Sequence, residues 1–542
     1  MLTNEIEIGT GKLRGSARDA AGVLSFKGIP YAAPPVGTLR WRAPAPVAPW
    51  QGVFEASQYG AGAMATPMPA PHMFRLREDE DCLNLNVWTA AAHADEKRPV
   101  MVWIHGGGFQ FGSSMLPGTD GAALAALGAV VVSINYRLGV FGFLAHAELD
   151  AEGTPSGNFG LQDMISALRW VRDNIAAFGG DPDCVTIFGE SAGGHAVGLL
   201  MVAPQAAGLF HRAIGQSGAW WDSEHGPLAN ADEARAQTQK LMTKLGVTTM
   251  AEMRALPATR VNLASAWNFL TDPFDNAFSP NVDGHIVPDV PGRIFAAGGQ
   301  HRVPLMAGFN DMEEEFFKPR GLPTAPAAFR AAAAEQFGAD RMSAFNAAYP
   351  SHDKAAARQS SDRLSGDLVI SQQVWSWVGM HRRAGAPAYL YQFGHRSALC
   401  PKPIHTAEIS FVFGNLKPSP FGIGHATPSA EDLALSDCMM HHWVNFASAG
   451  DPNGEGVASW PLYEGPGSEV MRYAGTAHAA PETVTARFTL IESLRDNGAL
   501  PAAWRATRPR LSPLAARVLH RLAFVAIALE RVVRAALGKR ID

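Results

Sequence analysis

Between Cys184 and Leu200 the chain reads CVTIFGESAGGHAVGLL, and these seventeen residues admit few folds. Val185 to Phe188 is β-branched and aromatic and is predicted as a strand. Ala192 to Met201 is small and apolar and is predicted as a helix. The turn Gly189-Glu190-Ser191-Ala192-Gly193 removes side chains where strand and helix would collide. A serine there stands clear of a sheet, as a nucleophile must. The same letters also fit an ordinary glycine turn that holds a serine.

The neighbouring segments suit a parallel sheet. Arg98 to Gly106, RPVMVWIHG, and Ala129 to Arg137, AVVVSINYR, are short and almost wholly apolar. Strands buried on both faces read this way, and parallel sheets under helical cover need such strands. Leu161 to Phe178 carries Ile165, Leu168, Val171 and Ile175 at helical spacing. Strands alternating with helices predict a mostly parallel α/β sheet. The proline-rich stretch from Gly28 to Trp50 is predicted as an extended surface wrap, neither regular helix nor central strand.

A second glycine stretch, His105-Gly106-Gly107-Gly108-Phe109, follows the first apolar run. The bare N–H groups of Gly107 and Gly108, with that of Ala192, suit the oxyanion of a tetrahedral intermediate. A dinucleotide loop would open a helix, but the following FQFGSSMLPG is rich in turn residues. The chain has no G-x-x-x-x-G-K-[ST] and no H-E-x-x-H, so nucleotide and zinc readings lose their best support. A serine nucleophile needs a histidine base oriented by a carboxylate. On this elbow the chain order is Ser, acid, His, which removes His105 and His146 but leaves many of the eighteen histidines.

At this point the residues resemble a family. Phe178-Gly179-Gly180 and Cys184 through Gly193 look like the serine signature of the type-B carboxylesterases, the cholinesterase-like and p-nitrobenzyl-esterase-like α/β-hydrolases. Glu80 to Val87, EDCLNLNV, resembles their second signature. FKGIPYAAPPVGTLRW, HGGGFQFGSS, NYRLGVFGFL, GNFGLQD and DPNGEGVASWPLY follow in the family's order, from about Gly11 to the 490s. The resemblance implies an α/β-hydrolase fold with long insertions, hydrolysis of a small-molecule ester through an acyl-serine, and no metal or organic cofactor.

Residue by residue, it makes Ser191 the nucleophile. GFNDMEEEFF, Gly308 to Phe317, is similar to the family's acid turn and puts the carboxylate at Glu313. Met312 and Glu314 depart from that pattern, so Asp311 and Glu314 stay open. PIHTAEISFVFG, Pro403 to Gly414, makes His405 the base. Gly107, Gly108 and Ala192 carry over as oxyanion donors. Pocket candidates are Phe109, beside the glycine loop, and Trp220 and Trp221, after QSGA; core packing is the competing reading for such aromatics. Glu190 either tunes the site or is a structural acid beneath it. The acidic run Glu78 to Asp81 is read as a solvated face with one or two salt bridges rather than a calcium site.

The remaining features bear on setting. Forty-five Lys and Arg against fifty Asp and Glu, with both signs interspersed, leave no footprint for nucleic acid. No apolar run reaches the roughly 18 residues of a membrane span. Cys82, Cys184, Cys400 and Cys438 are too widely spaced for a disulfide framework, and YGAGAMATPM lacks the partner that the family's bridge to Cys82 would need. With MLTNEIEIGTGKLRG lacking a signal-peptide core, a cytoplasmic protein is expected. A catalytic domain is assigned to residues 1–503 and a basic amphipathic helical extension to 504–542. There Leu514, Val518, Leu522, Val525, Leu529 and Val532 share one face, opposite Arg517, Arg521, Arg531 and Arg534, with Phe524 and Ile527 as exceptions. Docking on the enzyme body, self-association, or lying on an anionic membrane through residues 514–537 all fit such a helix. Besides the esterase, two functions stand as alternatives. One is a catalytically silent binding protein, which predicts loss of the serine, the histidine or an oxyanion glycine, and none is lost here. The other is an assembly or membrane-surface protein whose esterase activity is secondary.

Overall fold

The computed structural model describes residues 1–67, 77–153, 155–220, 228–265, 278–317, 323–416 and 426–495. A sheet of ten strands organises them. In chain order these are β1 (Leu24–Pro30), β2 (Asn84–Thr89), β3 (Arg98–Ile104), β4 (Val130–Ile134), β5 (Gly180–Glu190), β6 (Arg212–Gln216), β7 (Leu305–Asn310), β8 (Ala388–Phe393), β9 (Glu469–Ala474) and β10 (Thr476–Pro481). Their spatial order is β10-β9-β8-β7-β6-β5-β3-β4-β2-β1. Pairing is parallel from β9 across to β4 and antiparallel at both margins.

The strand residues explain why both faces are covered. Val100, Val102 and Ile104 of β3 point into one core, and Met101 and Trp103 into the other. On β5, Ile187 and Phe188 divide the same way. Each such side chain contributes about 1.5–3 kcal/mol by leaving water, so the two-sided apolar pattern is satisfied only between two layers. Leu161, Ile165 and Leu168 of α1 (Phe159–Asn174) belong to the first core. Leu435, Met439 and Trp443 of α5 (Ala430–Ala449) belong to the second. Beside them lie α2 (Ala192–Val202), α3 (Lys354–Gly366) and α4 (Gln372–Arg383).

Two local expectations are refined. The helix expected to run to Phe178 ends at Asn174, and Ile175–Phe178 tightens into a 3-10 turn that Gly179 closes at φ 82°. The proline-rich wrap begins inside β1, the margin strand, whose last residue is Pro30. A residue without an N–H is tolerated there because the ladder need not continue past it.

Candidate active site

The central strand β5 carries the elbow. It pairs with β3 through Gly189 and Ile104 and with β6 through Glu190 and Gln216, and Ser191 follows at once. Ser191 sits at φ 55° and ψ −123°, a conformation costly for any residue with a side chain. Its N–H donates to the Gln216 carbonyl at 2.9 Å. Trp41, Lys97, Phe109, Ser191, Ser217 and Thr406 are the described non-glycine residues with positive φ. The last four all lie on the segments built around this elbow, so backbone strain of about 1–3 kcal/mol per residue is concentrated there.

The glycine loop reaches the same place. A Cβ on Gly106 would lie 2.6 Å from the Glu190 carbonyl oxygen and 3.1 Å from the Ser191 Cβ, so the loop backbone rests against the serine. Gly107 and Gly108 follow at φ 109° and 62°, and nothing lies within 4 Å of where a Gly108 Cβ would stand. His105 braces the loop: its ring stacks on Tyr136 at 4.4 Å, and its Nδ1 lies 2.9 Å from the Gly106 carbonyl.

The imidazole and carboxylate arrive from the far half of the chain. His405 Nδ1 lies 2.7 Å from Glu313 Oε2, and His405 Nε2 lies 3.3 Å from Glu190 Oε1. Glu190 directly precedes Ser191, so the ring stands against the elbow. Glu313 Oε1 accepts from the Asn310 N–H at 2.8 Å and from Ser217 Oγ at 2.6 Å. Met312 N–H donates to the Pro403 carbonyl at 3.0 Å, and Met312 bridges Ile404, tying the acid turn to the histidine loop. The neighbouring carboxylates are engaged elsewhere. Asp311 takes Arg472 in a two-pronged pair at 2.7 and 3.0 Å, and Glu314 pairs with Arg363 at 3.4 Å.

Three buried acids surround one imidazole. Burial pushes the Glu190 carboxyl well above its ordinary range, against the pull of His405 and with the help of Glu408 and Glu313. Burial would lower His405, but Glu190 and Glu313 outweigh it and lift the ring to about 9. Burial also raises Glu408, although Asn310 Nδ2 at 2.6 Å and Gln216 Nε2 at 3.2 Å donate to it. The pair Glu190 and His405 is therefore suited to share one proton.

The remaining candidates are placed less openly. Phe109 is buried edge-on to Phe143 at 5.4 Å. Trp220 is buried and stacked on Phe295 at 5.3 Å. Trp221 lies outside the described residues. In the acidic run, Glu80 pairs with Arg40 at 2.6 Å, and no group of His, Cys, Asp and Glu able to hold a metal occurs among the described residues. Sequence reasoning overlooked Ser217, Asn310 and Glu408 as partners. Glu408 was visible as the acid of H-x-x-E, but Ser217 and Asn310 end or follow strands and carry no motif.

Residues 3–488 match the carboxylesterase family. The chain belongs to that family. The fumonisin B1 esterase of Sphingopyxis macrogoltabida is 36% identical over 467 residues, 83% of each chain. The para-nitrobenzyl esterase of Bacillus subtilis is 35% identical over 471 residues, 84% of this chain and 91% of that one. Among solved structures, a PNB esterase aligns with TM-score 0.76 at 31% identity, covering 90% of this chain and all of that one, 100%. A Geobacillus stearothermophilus carboxylesterase gives 0.75 at 31%, with 90% and 99% covered. This carboxylesterase has the α/β-hydrolase fold and hydrolyses carboxylic esters of small molecules as a serine esterase.

Proposed function

We propose that Ser191 is the nucleophile, His405 the general base and Glu313 the acid that orients it, with Gly107, Gly108 and Ala192 as oxyanion donors. The observation that carries this reading is the 2.7 Å contact between His405 Nδ1 and Glu313 Oε2, with the same ring against the residue that precedes Ser191. His405 Nε2 takes the Ser191 proton as Oγ attacks the ester carbonyl carbon, and the carbonyl electron pair moves onto oxygen. The three backbone N–H groups stabilise that oxyanion. Collapse expels the alcohol, which leaves with the proton from His405, and acyl-Ser191 remains. Water then gives a proton to the same nitrogen and attacks the acyl carbon, and His405 returns that proton to Ser191 Oγ as it leaves and the acid is released. Phe109 and Trp220 shape the acyl pocket from behind in this reading.

The reading extends to the setting of the enzyme. Residues 1–503 form the catalytic unit, and 504–542, outside the described residues, form a basic helix that attaches to an anionic membrane surface or to a second copy. Its arginine and aliphatic faces support this. Four unpaired cysteines support a cytoplasmic location. No described helix is long and apolar enough to cross a membrane.

A panel of p-nitrophenyl esters of increasing acyl length, given to wild type and Ser191→Ala, tests the mechanism. The substitution should lower kcat by about 10⁴-fold or more. Activity surviving in the folded variant would refute Ser191 as nucleophile, and the chain-length profile sizes the pocket.

A further inference from the structure

A cavity of about 650 Å³ opens at the carboxyl ends of β7, β8 and β9, and neither Ser191 nor His405 lines it. Asn310, Asp311 and Gln392 at the strand ends form its floor with Arg472. Parallel sheets characteristically receive ligands outside the carboxyl ends of their strands. The wall is one face of α3. Ala355, Arg358, Gln359, Asp362 and Arg363 recur at helical spacing and all line the space. A π-helical turn, Asp367–Ser371, continues that wall, a distortion frequently found at functional sites. The helix thus turns a charged face into a cavity lined by none of Ser191, His405 and Glu313.

The lining carries five carboxylates and five guanidiniums, but they are not all paired with one another. Each carboxylate of the lining is engaged: Asp311 with Arg472, Glu314 with Arg363, Asp367 with Arg487, Glu315 with Lys402, and Asp362 in a contact of its own. Two of the lining guanidiniums, those of Arg358 and Arg396, have no carboxylate within ion-pair distance among the described residues. Arg396 donates to the Met312 sulfur at 3.0 Å. Arginine forks match carboxylates in two-pronged geometry, and the space exceeds what a single inorganic anion fills.

We infer that this cavity binds a small organic di- or tricarboxylate between Arg358 and Arg396, and that its occupancy alters turnover at Ser191. The link is short. Met312, under Arg396, precedes Glu313 and bridges Ile404, which precedes His405. An anion that draws Arg396 off the Met312 sulfur acts on the joint between the proposed acid and base.

Calorimetric titration of the full chain with citrate, at ionic strength fixed by sodium chloride, tests the binding. Wild type is expected to bind one citrate, and Arg358→Ala/Arg396→Ala to bind it at least about tenfold more weakly. Both side chains are exposed, and a melting curve without citrate checks that the double variant folds, with Arg358→Ala alone as the second variant. Absence of binding in wild type, or equal binding in wild type and folded variants, would overturn the site. Parallel p-nitrophenyl acetate kinetics should show kcat changed at least about twofold by citrate in wild type only. Binding that leaves kcat and KM unmoved would overturn the link to the triad. Heat of binding is read without catalysis, so a failed triad assignment and a failed site give different results.

Discussion

Ser191 holds a backbone conformation that an unrestrained serine would leave, and strand pairing on both sides of β5 keeps it there. The same residue-scale economy governs the proton. A base must be neutral to accept one, and the carboxylates beside this imidazole lift it to about 9, which favours its charged form. kcat/KM should therefore rise with pH towards that value. Glu190→Gln removes one of the carboxylates that lift the ring, so the acidic limb should move to lower pH. A pH–rate profile of both proteins with p-nitrophenyl acetate decides this, and coincident limbs would rule out the coupling. Glu313→Gln should lower kcat by about 10²–10⁴-fold, more than Asp311→Asn or Glu314→Gln does, because those two side chains face Arg472 and Arg363. An equal loss in all three would undo the assignment of the acid.

At the scale of elements, the elbow works because helix and strand approach through bare backbone. A Cβ on Gly189 would lie 2.6 Å from the Gly193 carbonyl oxygen and 2.7 Å from that of Ile104. Neither obstacle is a side chain that can rotate. Gly189→Ala should thus cost about 1–3 kcal/mol, read as a lower urea midpoint, and an unchanged midpoint would mean the joint is looser than drawn. The entry to α5 is a second such joint. Ser429 and Asp432 form a capping box, and Asp432 Oδ1 lies 2.7 Å from the buried His395 Nε2. Burial works against the Asp432 carboxylate, but Ser397, Ser429 and His395 bring it down to about 2, from an ordinary 3.8. A depressed acid stabilises fully above its unfolded value and loses that contribution as pH falls through the folded one. Asp432→Asn should melt below wild type at pH 7, with the gap closing as pH falls from about 4 to 2. A gap that stays constant over that range would count against the pairing.

At the scale of the whole molecule, the parallel stretch of the sheet needs cover on both faces, and α1 and α5 give it from opposite sides. The family match ends at residue 488, short of the basic terminus. A chain cut after Pro501-Ala502-Ala503 should keep kcat/KM within about twofold of the full chain. It should also fail to float with anionic liposomes that carry the full chain upward. Identical flotation of the two would sink the membrane reading of residues 514–537.

Much of the body was legible in sequence because its signals are local. Strand β3 shows as an apolar run, the elbow as glycines at fixed spacing, and α1 as a period of helical turns. These depend on neighbours within a few residues, and hydrophobic burial enforces them in any fold with two covered faces. The histidine loop and acid turn were readable only as resemblance, since nothing within either segment says that they meet. Met312 against Ile404, Ser217 against Glu313, and the choice of Glu313 over Asp311 are contacts between segments about ninety residues apart. Which carboxylate faces the imidazole is set by where Arg472 and Arg363 stand, and only the assembled sheet and α3 put them there. The sequence by itself determined the serine, its turn and the sheet that holds it. Tertiary structure alone decided the company that His405 keeps, because burial and distance between remote groups fix its charge.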